Sequence, residues 1–310
     1  MIKPRALKIG DRVAIVAPAS PFERDAFERG VDEVRRLGFE PVFSPCIFDR
    51  DRYVAGPAAV RAADLRAAWR DPSIAGVFCV RGGYGSAQLL PHLDPDEARR
   101  GRKVFVGYSD LTSLLVYLTS LCGLVCFHGP TVAGRLGGGE RAYDRDSFLR
   151  AVTCPEPLGE LTAPPVEALR PGEAAGMLVG GTLTQLAASL GTPYQFDPPR
   201  GCVLFVDEVG ERPYRIDRLW VQLAFSGVLS KAAALVFGEL PGCDEPGGEP
   251  TARAVVADLV RDFPGPVLFG FPSGHTGGPA LTVPLGVRVR VRAGRRPGLT
   301  VEEAAVERAA

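Results

Sequence analysis

Two stretches, SIAGVFCV at 73–80 and KVFVG at 103–107, are apolar runs without the polar alternation of a half-wet strand. A strand reads this way when both of its faces are covered, and sheets covered on both faces are predominantly parallel. The segments around them fit that reading. RVAIVAPAS (12–20) is a strand that ends in a proline-containing loop, and Phe27, Val31 and Val34 then recur at helical spacing. EPVFSP returns as a strand, and AAVRAADLRAAW is a helix by its Ala and Leu content. A further helix is predicted from about Asp110 to Leu121, followed by the strand GLVCF. Strand, helix, strand in succession predicts an α/β fold whose N-terminal domain, 1–152, holds an open parallel sheet wound on both faces. Ligands of such sheets sit at the carboxyl ends of the strands, where RGGYG (81–85) and GYSD (107–110) fall.

At 310 residues the chain exceeds the usual single core, so a second domain is expected. Residues 153–176 are rich in Pro, Glu and Gly without a clear apolar period and read as an interdomain linker. Beyond it, 177–310 gives strands from GMLVGG, GCVLFVDE and AAALVFGEL, helices between them, and the alternating VRVRVRAG. That texture predicts a β-rich C-terminal domain, barrel-like or mixed α/β.

Several function classes are disfavoured by composition. Lys plus Arg and Asp plus Glu both total 36, so no global field attracts nucleic acid or a membrane surface. The seven cysteines are scattered and mostly set in apolar segments, which suits free thiols in a reducing compartment. Cys122 and Cys126, with only His128 nearby, do not complete a zinc site, so neither a metal nor a cofactor is expected. The N-terminus MIKPRALKIGDRV has no apolar signal core, so a cytoplasmic location is expected. Residues 111–134 lack charged side chains but contain Ser, Thr, His, Pro and Gly, as a buried helix and strand would.

Ser109 stands where a buried strand gives way to a helix. A hydroxyl on such an elbow is exposed, and the following N–H groups can hold an oxyanion, so the position suits a nucleophile. The commoner role of a serine at a strand-to-helix turn is a helix N-cap. The G-x-S-x-G elbow of α/β-hydrolases does not fit, since residue 111 is Leu. A base must come from three histidines: His92 beside an acidic run, His128 at the end of an apolar strand, or His275 in the Gly- and Pro-rich loop GFPSGHTGGPALTVPLG. Acids at a strand's carboxyl end are supplied by Asp207 and Glu208 of LFVDEVGERPYRIDR. RGGYG offers backbone N–H groups for close approach, but it lacks the G-x-G-x-x-G spacing of a dinucleotide site. Cys79 lies within a predicted buried strand and makes a poor nucleophile.

Taken in order, RVAIVAPAS, SIAGVFCVRGGYGSAQLL, VGYSDLTSLL, FHGP, GGTLTQLAASLGTPY, LFVDEVGERPYRIDR and SGHTGGPALTVPLG resemble the blocks of the serine LD-carboxypeptidases of the muropeptide LD-carboxypeptidase A type. The resemblance covers nearly the whole chain. It implies Ser109 as nucleophile, His275 as base, and the N–H groups of Gly83 and Asp110 as oxyanion donors. Gly82 and Tyr84 are then expected to contact a murein peptide substrate, and a Rossmann-like or flavodoxin-like N-terminal domain, a β-rich C-terminal domain and a homodimer without metal are implied. Related microcin-immunity peptidases act on a peptide–nucleotide antibiotic, which offers an alternative activity, and a non-catalytic small-molecule binding protein could use the same cleft. The family's acid is usually the Glu of LFLED, and the aligned position here is Asp207, with Glu208 following. Because neighbours on a strand point to opposite faces, only one of the two can face His275. Alignment favours Asp207, with Glu208 as the alternative acid.

Overall fold

The computed structural model describes residues 1–161 and 166–308. The first sheet is built from β1 (Arg12–Val16), α1 (Arg24–Arg36), β2 (Glu40–Val42), α2 (Ala58–Arg70), β3 (Ile74–Cys79), α3 (Pro95–Gly101), β4 (Val104–Gly107), α4 (Thr112–Val116) and β5 (Cys126–His128). After α5 (Arg145–Thr153) come β6 (Gly159–Leu161), β7 (Glu167–Arg170), β8 (Gly172–Thr182), α6 (Leu183–Ser189) and β9 (Cys202–Asp207). The chain continues through α7 (Pro213–Phe225), β10 (Ala232–Gly238), α8 (Ala252–Leu259), β11 (Val267–Phe271), β12 (Val283–Leu285), β13 (Arg288–Ala293) and β14 (Gly298–Val301).

Six strands form the first sheet in the order β12-β5-β4-β3-β1-β2. Five of them run parallel, and β12 pairs antiparallel with β5 through Val283–His128, Pro284–Phe127 and Leu285–Cys126. The apolar run of β3 lies in its interior with Val77, Phe78 and Cys79 fully buried, as a strand covered on both faces requires. In α1 the recurring Phe27, Val31 and Val34 are the buried stripe, while Arg35 and Arg36 in the last turn face the negative end of the helix dipole.

The second sheet has the order β6-β14-β13-β8-β9-β10-β11-β7, parallel from β8 to β11 and antiparallel elsewhere. It is a mixed sheet flanked by α6, α7 and α8, whose Leu186, Leu223 and Val256 pack on Leu204 and Leu235 of β9 and β10. The other core cluster runs from the first sheet across to Phe205, Phe271, Val289 and Leu299, so the interior is continuous between the two sheets.

Two expectations about the division of the chain need correction. Within 153–176, read as a linker, lie β6, β7 and the first residues of β8, while 162–165 fall outside the described residues. All four residues of β7 are half-buried because it is an edge strand on β11, so the segment shows no apolar alternation. Residues 283–285, expected in the C-terminal unit, instead extend the first sheet. Pro284 fits there because an edge strand tolerates a missing N–H donor.

Between α2 and α3, Arg66 grips the buried Glu97 with two hydrogen bonds of 2.8 and 2.9 Å, and Arg70 adds a third. These partners pull the Glu97 carboxyl down to about 2. Its folded-state value lies below that of an unfolded Glu, about 4.3, so the stabilisation is complete above that pH and fades as acid takes it toward 2. Glu97→Gln should therefore lower stability in denaturant titrations at pH 7, and the gap from wild type should narrow below about pH 4.3 and close only as the pH falls to about 2. A gap that stays constant with pH would show that the ion pairs contribute nothing.

Candidate active site

Strand β4 ends at Gly107, and the chain turns at Ser109, whose φ of 70° is left-handed for a residue with a Cβ. Such strain, on the order of 1 to 3 kcal/mol, persists where the surroundings fix it. No side-chain bond from Ser109 caps the turn at 109–111 or α4, so the capping alternative does not hold. Ser109 is half-buried, and its hydroxyl enters none of the side-chain hydrogen bonds among the described residues. The RGGYG loop packs directly onto it. A Cβ on Gly82 would lie 2.7 Å from Ser109 Cβ, 2.9 Å from its Oγ and 3.2 Å from the Asp110 nitrogen, so only glycine permits this approach.

Asp207, at the carboxyl end of β9, is fully buried and bonded at both oxygens. Oδ2 accepts from His275 Nδ1 at 2.7 Å and from the His275 backbone N–H at 3.0 Å, while Oδ1 accepts from Thr182 Oγ1 at 2.8 Å. A proton on Nδ1 leaves His275 Nε2 with a free lone pair, the arrangement a base requires. Burial alone would push the Asp207 carboxyl up, but the imidazoles of His128 and His275 outweigh it and hold the group far below the usual carboxylate range. Gly274, at φ 69°, leaves room for this pair: a Cβ there would strike Asp207 Oδ2 and come within 2.5 Å of His128 Cε1.

Glu208 turns the other way. It accepts from the backbone and hydroxyl of Thr184 at 2.9 and 2.7 Å and from Val209 N–H at 3.0 Å, and burial raises its carboxyl above the ordinary range. The two adjacent acids thus point in different directions, Asp207 from the last residue of β9 and Glu208 from the residue just past it. Ser109 and His275 are brought near each other without a direct hydrogen bond: Tyr108, next to Ser109, stacks edge-on against the His275 ring at 5.1 Å. Catalytic hydrogen bonds are often long before substrate binds.

The other expected residues are placed as follows. Asp110 is buried, with Oδ2 accepting from Ser86 N–H at 2.8 Å and Oδ1 from Gln185 at 3.2 Å. Gly83, at φ 106°, packs against Ser20, whose hydroxyl accepts from Tyr84 N–H at 3.0 Å and donates to Tyr53 O at 2.8 Å. Tyr84 and Tyr53 are both more than half exposed and meet edge to face at 5.3 Å on the rim. His92 is exposed at the end of the turn 86–92, outside this group. Cys79 is fully buried, which raises its thiol well above the ordinary value and makes it inert. No cluster of His, Cys, Asp and Glu able to hold a metal occurs among the described residues. A cavity of about 670 Å³ lies at the opposite end of the first sheet, lined by Trp69, Arg70 and Lys103, and takes in none of these groups.

Two arginines that sequence reasoning missed hold the loops in place. Arg135 donates to the carbonyls of Gly274 at 2.9 Å, Thr276 at 2.7 Å, Gly278 at 3.1 Å and Ala142 at 2.6 Å, so one guanidinium clamps both sides of His275. Buried Arg61 donates to Pro18 O, Gly56 O and Gly85 O and to Gln88, tying the RGGYG loop to its neighbours. The one available signal was an arginine amid glycines in AGRLGGG.

A two-sheet α/β chain with a buried acid–imidazole pair beside a strained serine at the carboxyl edge of its strands has the layout of an α/β peptidase. The comparisons agree. Residues 13–129 match the LD-carboxypeptidase N-terminal domain, and 175–291 match the LD-carboxypeptidase C-terminal domain. The chain is 39% identical to the "Putative carboxypeptidase" of Streptomyces coelicolor, over 93% of this chain and 92% of that one. It is 31% identical to the murein tetrapeptide carboxypeptidase of Pseudomonas aeruginosa, over 86% and 89%. Among solved structures, microcin C7 self-immunity protein in complex with aspartyl sulfamoyl adenosine superposes with a TM-score of 0.93 at 25% identity, covering 99% of this chain and all of that one. The protein belongs to the LD-carboxypeptidase family.

Proposed function

We propose that the protein is a serine LD-carboxypeptidase that removes the terminal D-alanine from a murein tetrapeptide during cell-wall recycling in the cytoplasm. The scissile bond joins the L-centre of diaminopimelate or lysine to the D-residue. His275 Nε2 takes the proton of Ser109 Oγ as that oxygen attacks the carbonyl, and the N–H groups of Gly83 and Asp110 hold the resulting oxyanion. The imidazolium, steadied by Asp207, gives its proton to the leaving amine, and D-alanine departs. Water activated by His275 then hydrolyses the ester on Ser109. The observation that carries this reading is the 2.7 Å bond between His275 Nδ1 and Asp207 beside the strained Ser109. All seven cysteines are free, which fits a reducing compartment.

The test is incubation of the purified protein with tetrapeptide and pentapeptide muropeptides, with products followed by mass. Loss of one alanine from the tetrapeptide alone is expected; no change in either sinks the reading. A second reading, cleavage of a peptide–nucleotide conjugate, draws on the likeness to the immunity protein. Against it, Trp69 and Trp220 are both buried in helices and unavailable to stack on a base. Release of aspartate from aspartyl sulfamoyl adenosine in the same assay would favour the second reading.

On the proposed substrate, Arg135→Ala should lower kcat about 10- to 100-fold with little change in KM, because the His275 loop loses its hydrogen bonds to a charged group. Arg135→Lys should not rescue it, since one ammonium cannot serve four carbonyls. Wild-type kcat in Arg135→Ala would show that the loop holds itself.

A further inference from the structure

His128 ends β5 with no exposed surface, and its two ring nitrogens are treated unequally. Nδ1 lies 3.1 Å from the hydroxyl of Ser273, itself fully buried two residues before His275. Nε2 is buried with no hydrogen-bond partner among the described residues, and it sits 3.8 Å from Asp207 Oδ1. A buried unsatisfied nitrogen in a packed interior costs free energy and needs a reason. The rings of Phe205 and Tyr108 flank the imidazole, with centroids 5.0 and 5.9 Å from its own. The carboxylate accepts only, so the proton belongs on Nε2, facing it, and Nδ1 takes the hydroxyl proton of Ser273.

Resting on the reading of Ser109, His275 and Asp207 given above, we propose that His128 is a positioning residue whose Nε2–H closes onto Asp207 Oδ1 when substrate binds, so that Oδ2 stays aimed at His275. Thr182 already holds Oδ1 at 2.8 Å. With His128 as second donor the carboxylate is gripped from both sides, and it cannot rotate away when His275 becomes charged.

Two replacements separate this role from simple packing. The amide nitrogen of Gln reaches about as far as Nε2, whereas that of Asn stops near Nδ1. His128→Gln should keep kcat within about 3-fold of wild type, while His128→Asn should lose about 10- to 100-fold in kcat at unchanged KM, the worth of a hydrogen bond to a charged acceptor. The low-field proton NMR signal of His275 Nδ1–H, read without substrate, should persist in the Gln variant and shift or broaden in the Asn variant. Equal activity in the two variants, or Asn outperforming Gln, overturns the proposal, because packing and the Ser273 bond would then be all that matters. If a ring replacement unfolds the chain, Ser273→Ala removes the ring's anchor at Nδ1 without opening the core. Lowered kcat and a moved His275 signal are then expected, and an unchanged rate and signal reject the idea. A wild type that hydrolyses no muropeptide would count against the proposed function instead, and the NMR comparison would still judge His128.

Discussion

Ser109→Ala should abolish release of D-alanine, with a loss of about 10⁴- to 10⁶-fold in kcat. The chain should still fold. The hydroxyl makes no hydrogen bond within the described residues, so its removal leaves no partner unsatisfied, and alanine keeps the Cβ on which Gly82 packs. Thermal unfolding should move little, since the left-handed strain at residue 109 is nearly the same for both side chains. The check is kcat on the tetrapeptide beside a melting curve for each protein. Wild-type turnover in Ser109→Ala rejects the mechanism, and a collapsed melting curve would assign the serine to the fold.

The second large effect is expected at Asp207. An amide nitrogen in the place of Oδ2 would face the His275 backbone N–H and donate to Nδ1, favouring the imidazole tautomer with its proton on Nε2. That tautomer cannot accept the serine proton. By analogy with the equivalent change in serine proteases, Asp207→Asn should cost about 10⁴-fold in kcat. Glu208→Gln should leave kcat nearly intact, because Glu208, just past β9, serves Thr184 and Val209 and not His275. A larger loss in Glu208→Gln than in Asp207→Asn would exchange the two assignments. The pair also predicts opposite responses to acid. Asp207 is held below its unfolded value, so its contribution to stability is present above about pH 3.9 and lost on acidification; Glu208 is held above its own, so protonation relieves a cost.

What sequence made legible follows the reach of each signal. Apolar runs located β3 and β4 because a strand covered on both faces has nowhere to hide a polar residue. Alternation along an extended chain separated Asp207 from Glu208, although β9 itself ends at Asp207. The candidate serine and histidine came from ordered motif blocks, and no spacing in the chain would have joined residue 109 to residue 275. The supporting groups were out of reach for a physical reason. Arg135 holds the His275 loop through backbone carbonyls, which every residue possesses, so no residue type in that loop announces its partner. His128 at a strand end allowed either a structural or a functional part, and the orphaned Nε2 emerges only once β5 and β9 are side by side. The edge strand β7 gave no alternation because neither of its faces is fully buried.

The antiparallel pairing of β12 with β5 has a consequence for the order in which the molecule can be completed during synthesis. Until residues 283–285 have left the ribosome, Cys126, Phe127 and His128 present a raw, apolar sheet edge, of the kind that invites pairing with another chain. The first-made part of the protein therefore waits for almost its last-made strand. A fragment ending at 152 should be prone to aggregation, and supplying the missing segment 153–310 in trans should restore solubility, since the edge is then covered by the strand it was built for.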